Sequence, residues 1–374
     1  MVMLTRVLCL WATLVLNATI AKGHRIPTRN ECPPFKNGTI VIDSYQLYPE
    51  NADFDLNQCL LYFGALFNAS VVVYDPYKAK TVQTLEFPGI TRTDPFHVGG
   101  VAWDPYTNLI SILIDDATPH VTPDHHVGGD DFITRYDPVK KETLWFLNIT
   151  EVSQGKYGGQ QDVEHDARGH VYVLGTYPGT ILRVEPDGSA IKPWYLPKVI
   201  DHTYTGLTGF AATGDILLAS DARNATGSGE IVRFDMRAQQ GTPVLVPRTP
   251  NEPIMSLDAV YLPPKYRGTV LLVSEHDRGV SVLRSQDGRW ETAEYLGRVT
   301  DDPALKDGGV NVATVEIAGS VYMVDEWFAD PIVPGTSAGN RTAFPMWDIT
   351  AQVEKLLGAK GCSGGGWLGT IISS

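Results

Sequence analysis

An alternating strand that ends in an acid or Ser, usually near Pro or Gly, recurs along the chain. It appears as VVVYDP at Asp75, FITRYDP at Asp137, ILRVEPDG at Glu185, IVRFD at Asp235, VSVLRSQDG at Ser285 and FPMWD at Asp348. A second series keeps step ahead of it: GGVAWD around Gly100, QQDVEHD around Asp162, GLTGFAA around Thr208, SLDAVYL around Asp258 and GVNVATVE around Asn311. Between the two lie apolar strands such as LISILI, HVYVLG and TVLLVS, rich in β-branched residues and read as β by their alternation. Units of about this size that repeat a small antiparallel meander bury their faces only against one another, around a central channel. The expectation is an all-β fold, a six-bladed β-propeller of antiparallel meander blades. GTIVIDSYQLYP and CLLYFGALF are expected to open the first blade, with a terminus completing a shared one. Only MWDITAQVEKLLGAK has helical spacing and a Gly stop.

The repeat also decides how to read GGQQDVEHDARGHVYVLGT, which crowds acids and histidines like a metal site. HDARGH falls where the other units turn from first to second strand, so His165, Asp166 and His170 are expected to be turn residues. Asp162 begins an inner strand and shares its repeat position with Gly100, Thr208, Asp258 and Asn311, all expected at the channel mouth.

The first 21 residues carry one cation, Arg6, then an apolar run and small residues to Ala21, the pattern of a secretory leader. Residues 22–37 read as a lead and 38–374 as one propeller domain with a C-terminal tail. Sequons at Asn37, Asn68, Asn148, Asn224 and Asn340 are expected to be glycosylated. Cys32, Cys59 and Cys362 follow the leader. One disulfide and one free thiol are expected, with Cys32–Cys59 as the favoured pair but the pairing open. The net charge of −13 opposes nucleic acid and anionic membrane surfaces, which need basic patches. No later run reaches the ~20 apolar residues of a membrane anchor.

Candidate chemistry gathers where inner strands begin and where second strands lead into third. Blades two and six have the longest such loops, Asp115–Asp131 and Glu326–Asn340, and long loops on a rigid scaffold usually line a site. That face is expected to carry His97, Tyr157, Gln160, Tyr177, His202, Tyr204, Met255, Glu275 and Trp327. GTSAG, 335–339, matches a nucleophile elbow but lacks its buried strand and helix. His120, Asp124, His125 and His126 sit in a loop without the rigid ligand pair a metal prefers. Asp162, Asp258 and Asn311 have the oxygen chemistry of calcium ligands but too few of them. No cofactor is therefore expected.

The blade pattern, with its DP and PDG turns, resembles the gluconolactonases and calcium-dependent phosphotriesterase-like proteins. Their metal site takes an acid from the first blade, where the residues near Asp43 and Ser44 offer no Glu. NQCLLYFGALFNASVVVYDP and GGVAWDP, after a leader and a Cys-containing lead, look like the fungal secreted propellers of secondary-metabolite clusters. That group includes the trichothecene-cluster propeller protein and is similar to the hetero-Diels-Alderases of tropolone-sesquiterpenoid pathways. The resemblance implies a cofactor-free cycloaddition joining a tropolone o-quinone methide to a humulene-type alkene. The partner is then a small apolar polyketide or terpenoid substrate. Phe63, Phe67, Tyr157, Tyr177, Met255 and Trp327 are expected as walls, and His97, Gln160, Asp162 and Asp258 as further substrate contacts. His202, Tyr204, Asn311 and Glu275 are the expected catalytic groups, binding oxygens and assisting loss of water. A metal-dependent lactonase or esterase and a non-catalytic binding propeller are the alternatives.

Overall fold

The computed structural model describes residues 32–223 and 228–359. The expected leader, Asn224, Cys362 and the glycine-rich tail lie outside these residues. The strand-ending acid proves to be a turn device. Oδ1 of Asp55, Asp75, Asp104 and Asp137 each accepts the backbone N–H groups two and three residues on. A carboxylate that satisfies a tight turn's free donors fixes the register of the hairpin it begins.

These hairpins stack into a β-propeller of antiparallel sheets. Blade 1 has strands Pro49–Asp55, Leu60–Ala65, Ser70–Asp75 and Lys80–Leu85. Blade 2 has Phe96–Asp104, Leu109–Asp116, Phe132–Asp137 and Glu142–Asn148. Blade 3 has Gly158–His165, Val171–Tyr177, Thr180–Val184 and Ile191–Tyr195. Blade 4 has Leu207–Thr213, Ile216–Asp221, Glu230–Asp235 and Val244–Leu245. Blade 5 has Leu257–Tyr261, Val270–Glu275, Gly279–Arg284 and Ala293–Val299, with Arg248–Thr249 added in parallel at its edge.

The expectation of six meander blades is corrected here, because five sheets of four or five strands form such blades. The last unit is divided into two two-stranded sheets. One pairs Val310–Ile317 with Ser320–Glu326. The other pairs Ile40–Asp43 with Ala343–Met346, in register Ile40 to Met346. GTIVID therefore does not open the first blade, and CLLYFGA supplies that blade's second strand. The inner strand of blade 1 is PENADFD, whose polar composition gave no β signal. The two small sheets adjoin where Met323 N donates to Trp347 O at 3.0 Å and Ile349 N to Val321 O at 2.9 Å. Helix Thr350–Ala359 follows as expected.

The six inner strands pack in sequence order, and Val310–Ile317 returns to Pro49–Asp55. Apolar clusters fill the seams between neighbours, for example Val98, Val101 and Trp103 against Val71 and Val73, and Phe210 and Leu217 against Tyr172 and Leu174. Burial of such side chains is worth about 1.5–3 kcal/mol each before entropy is counted.

Candidate functional site at the channel mouth

All six inner strands carry a β-bulge near their first residues: between Pro49 and Asn51, Val98 and Gly100, Gln160 and Asp162, Leu207 and Gly209, Leu257 and Val260, and Asn311 and Ala313. A bulge inserts one residue without a partner and re-aims its side chain. The displaced residues Glu50, Gly99, Gln161, Thr208 and Asp258 accordingly all line one cavity of about 440 Å³ at the channel mouth. In the sixth strand the corresponding Val312 is buried in the seam with blade 1.

Apolar side chains make much of the remaining wall: Leu66, Phe67, Val121, Tyr177, Leu257 and Phe328. The loop of blade 2 closes over one side, its His125 stacked on Tyr177 at 3.9 Å between ring centres. Phe67 meets His97 edge-on at 5.4 Å.

Against this wall stand paired titratable groups. Nε2 of His276 is 2.6 Å from Oδ2 of Asp258. Burial alone pushes His276 down, but the adjacent Asp258 carboxylate, helped by Glu50 and Asp277, outweighs it and raises the imidazole to about 9. Glu50 is pushed well above the usual carboxylate range by burial and by the negative charge of Asp258. Across the cavity, burial lowers His97 and leaves it neutral. His120 Nε2 lies 3.5 Å from Asp115 Oδ2. The inner strands of blades 2 and 5 are three steps apart in the ring of six, so the neutral imidazole and the cationic one occupy opposite walls.

Of the residues expected here, Phe67, His97, Gln160, Tyr177 and Asp258 line the cavity. Asp162 lies deeper, where Oδ2 accepts from Phe210 N at 2.7 Å and Oδ1 from Val163 N at 2.8 Å. The other expected placements are corrected. Phe63 is fully buried in the blade 1 seam. Tyr157 belongs to the seam of blades 2 and 3, its hydroxyl on Val152 O. Trp327 is buried beneath the Arg341 guanidinium, and its neighbour Phe328 reaches the cavity instead. Met255 contributes its backbone N–H to Glu275 and no cavity wall.

None of the four expected catalytic groups reaches the cavity. His202 is half-buried and Tyr204 exposed in their loop, where only Thr205 faces inward. Glu275 is fully buried and clamped by Arg298, whose Nε donates at 2.6 Å. Asn311 turns its amide onto the Ala313 and Val324 carbonyls, so the trio with Asp162 and Asp258 is not assembled. The first-blade acid that the sequence did not reveal is Glu50. Among the described residues no group of three or more His, Cys, Asp or Glu has the arrangement of a metal site. His165 is a turn-end residue buried in a seam, its Nε2 2.9 Å from Ser111 Oγ, and burial pushes it down to about 3. Asp166 caps its turn through Arg168 N and His170 N.

No family model matches the chain. It is 31% identical over 342 residues to trichothecene biosynthesis protein 14 of Trichoderma arundinaceum, covering 87% of this chain and 92% of that protein. Against core trichothecene cluster protein 14 of Fusarium sporotrichioides it is 30% identical over 345 residues, covering 87% and 88%. Among solved structures it resembles the Malassezia sympodialis allergen Mala s 1, at TM-score 0.69 and 17% identity over 84% of this chain and 96% of that one. A Xanthomonas campestris gluconolactonase matches at TM-score 0.50 and 16% identity, covering 83% and 89%. These two likenesses concern the fold alone.

Proposed function

Because the chain belongs to the family of trichothecene-cluster protein 14, we propose that it is an enzyme of secondary-metabolite biosynthesis. Its substrate is a largely apolar, oxygenated small molecule of polyketide or terpenoid type, bound in the mouth cavity. The observation that carries this reading is the 2.6 Å His276–Asp258 pair sharing one cavity with Glu50 inside an aromatic and aliphatic wall. Such a site supplies a proton donor at neutral pH, holds apolar carbon by burial and orients it for reaction.

The step best served is loss of water followed by ring closure. His276 gives its proton to a departing hydroxyl as the carbon–oxygen bond breaks. A second hydroxyl of the substrate loses its proton and restores the imidazolium. In the specific form implied by the sequence resemblance, a hydroxymethyl tropolone becomes an o-quinone methide. A humulene-type alkene then adds to it, forming one carbon–carbon and one carbon–oxygen bond. The proton-donor role passes from His202, Tyr204, Asn311 and Glu275 to His276, supported by Glu50. No cofactor enters this reaction. The Cys32–Cys59 disulfide supports a place in the secretory pathway, where such bonds persist. The unit formed by 310–326 with 40–43 and 343–346 is read as a composite sixth blade that closes the ring.

One observation favours a second reading, a metal-dependent lactonase or esterase. Glu50 and Asp258, acids from separate blades, face one cavity, although His276 already supplies a cation there. The test is to incubate purified protein, with and without chelator, with a hydroxymethyl tropolone and a humulene alcohol, following adducts by chiral chromatography. A single stereoisomer formed above the spontaneous rate and insensitive to chelator supports the cycloaddition. Lactone hydrolysis that chelator abolishes, with no adduct, transfers the reading to the hydrolase.

A further inference from the structure

The proton donor stands at the end of a hydrogen-bonded chain that begins two blades away. Thr176, in the second strand of blade 3, donates from Oγ1 to Gln161 Oε1 at 2.7 Å. Gln161, the displaced residue of that blade's bulge, donates from Nε2 to Asp258 Oδ1 at 3.0 Å. Asp258 Oδ2 meets His276 Nε2. The chain passes over blade 4, whose Thr208 and Ser220 hydroxyls are hydrogen-bonded to each other at 2.8 Å and both lie 3.3 Å from the backbone carbonyl of Asp258.

Each link removes one freedom from the next. The Asp258 carboxylate only accepts, so the amide turns its N–H toward it and its oxygen toward Thr176, whose hydroxyl donates to that oxygen and holds the amide in place. Gln161 then presents N–H to one carboxylate oxygen and leaves the other for the imidazole. With Nε2 engaged, His276 has only Nδ1 to offer a substrate. Asp258 is 4% exposed and Thr176 2% exposed, so little water competes for these bonds. A buried polar chain that ends on a half-exposed imidazole specifies orientation and charge.

We propose that Thr176 and Gln161 are positioning residues of the mouth cavity, acting through Asp258 to fix the orientation and protonation of His276. Their catalytic meaning rests on the proposed acid role of His276; their effect on the imidazole does not. The charged and titratable groups that face His276 are Asp258 and Glu50 across the cavity and Asp277 beside it. Substituting an uncharged member of the chain leaves every formal charge in place and removes only the hydrogen bonds that hold Asp258.

The experiment is a pH titration of histidine-labelled, ligand-free protein by NMR, following the ring nitrogens of His276. The His276 signal is assigned from the spectrum of His276→Gln. Thr176→Val and Gln161→Leu are compared with wild type, and Asp258→Asn serves as reference. The expected result is a downward shift of the His276 titration by about one unit in both variants, with a weakened hydrogen-bonded Nε2–H signal. Asp258→Asn should move it down further than either variant, because burial is then opposed only by Glu50 and Asp277. Unfolding curves establish that the variants fold; Gln161→Met replaces Gln161→Leu if the latter does not. Titrations superimposable on wild type in both folded variants would overturn the positioning role. A shifted titration with an unchanged pH profile of product formation would retain it, while removing His276 as the acid of the proposed reaction.

Discussion

Eighteen positions separate Asp258 from His276 in sequence, and the hairpin between them brings one from a bulge and the other from just past a strand end to a single wall. His276 N donates to Ser256 O at 3.0 Å, which anchors that approach. The folded imidazole holds its proton up to about 9, above the ordinary 6.5. Its contribution to stability is therefore full below about pH 6.5 and is lost as pH rises through about 9. The proton donor itself disappears only as pH passes about 9. Product formation should fall above pH 9, and in Asp258→Asn that limb should move to lower pH; a pH–rate profile checks both. A second residue-scale prediction concerns the ion pair between Arg135 and Asp104, whose side chains are 1% and 0% exposed. Arg135→Ala leaves Asp104 charged, buried and unpaired, and should cost about 3–5 kcal/mol in denaturant unfolding.

The inner strand is the element that joins scaffold to site, because its bulge sends one residue to the mouth while its later acids face the channel. Asp53, Asp162 and Glu164 each accept a backbone N–H from the next blade, on Trp103, Phe210 and Ala212. Burial nevertheless outweighs these donors and raises the acids to about 7, 7 and 8. Carboxyls raised in the folded state stabilise most at low pH, below the ordinary carboxylate value, and lose that contribution as pH rises through 7 to 8. Each such proton accounts for about 1.4 kcal/mol per pH unit across its window. Asp162→Asn should accordingly flatten the decline in melting temperature between about pH 4 and pH 7. Blades 2 to 5 were legible in sequence because their strands alternate and end in turn-capping acids. PENADFD was not, since Pro, Glu, Asn and Asp disfavour strands and only its channel position explains its composition; Glu50 was missed with it. The displaced site residues have a separate cause. Trp327, Phe328, Tyr204 and Thr205 lie in loops just outside the strands, where period-2 alternation does not fix which side chain faces inward, so Phe328 lines the cavity in place of Trp327, and Thr205 in place of Tyr204.

At the scale of the molecule, the first and last strands of the described residues are paired in the last unit. Ile40–Asp43 pairs with Ala343–Met346, and Ile42, Phe344 and Met346 are buried in the cluster that also holds Cys32. The disulfide joins Cys32 to Cys59 across 27 residues, tying the lead to blade 1. Replacing both cysteines by serine should lower stability by about 2–4 kcal/mol, read from denaturant midpoints. The spacing of the turn acids revealed the repeat, but not that its last sheet is shared between the termini, because that pairing spans nearly the whole chain. What the assembled ring creates is a mouth cavity to which five inner-strand bulges contribute, with an imidazolium on one wall and a neutral imidazole on the other. The most direct measurement is the metabolite profile of a producing strain whose own copy is replaced by His276→Gln. The expected result is a folded, normally abundant protein, loss of the cyclised product and accumulation of one oxygenated precursor that wild-type protein converts in vitro. An unchanged profile with equal protein abundance would contradict a catalytic mouth cavity.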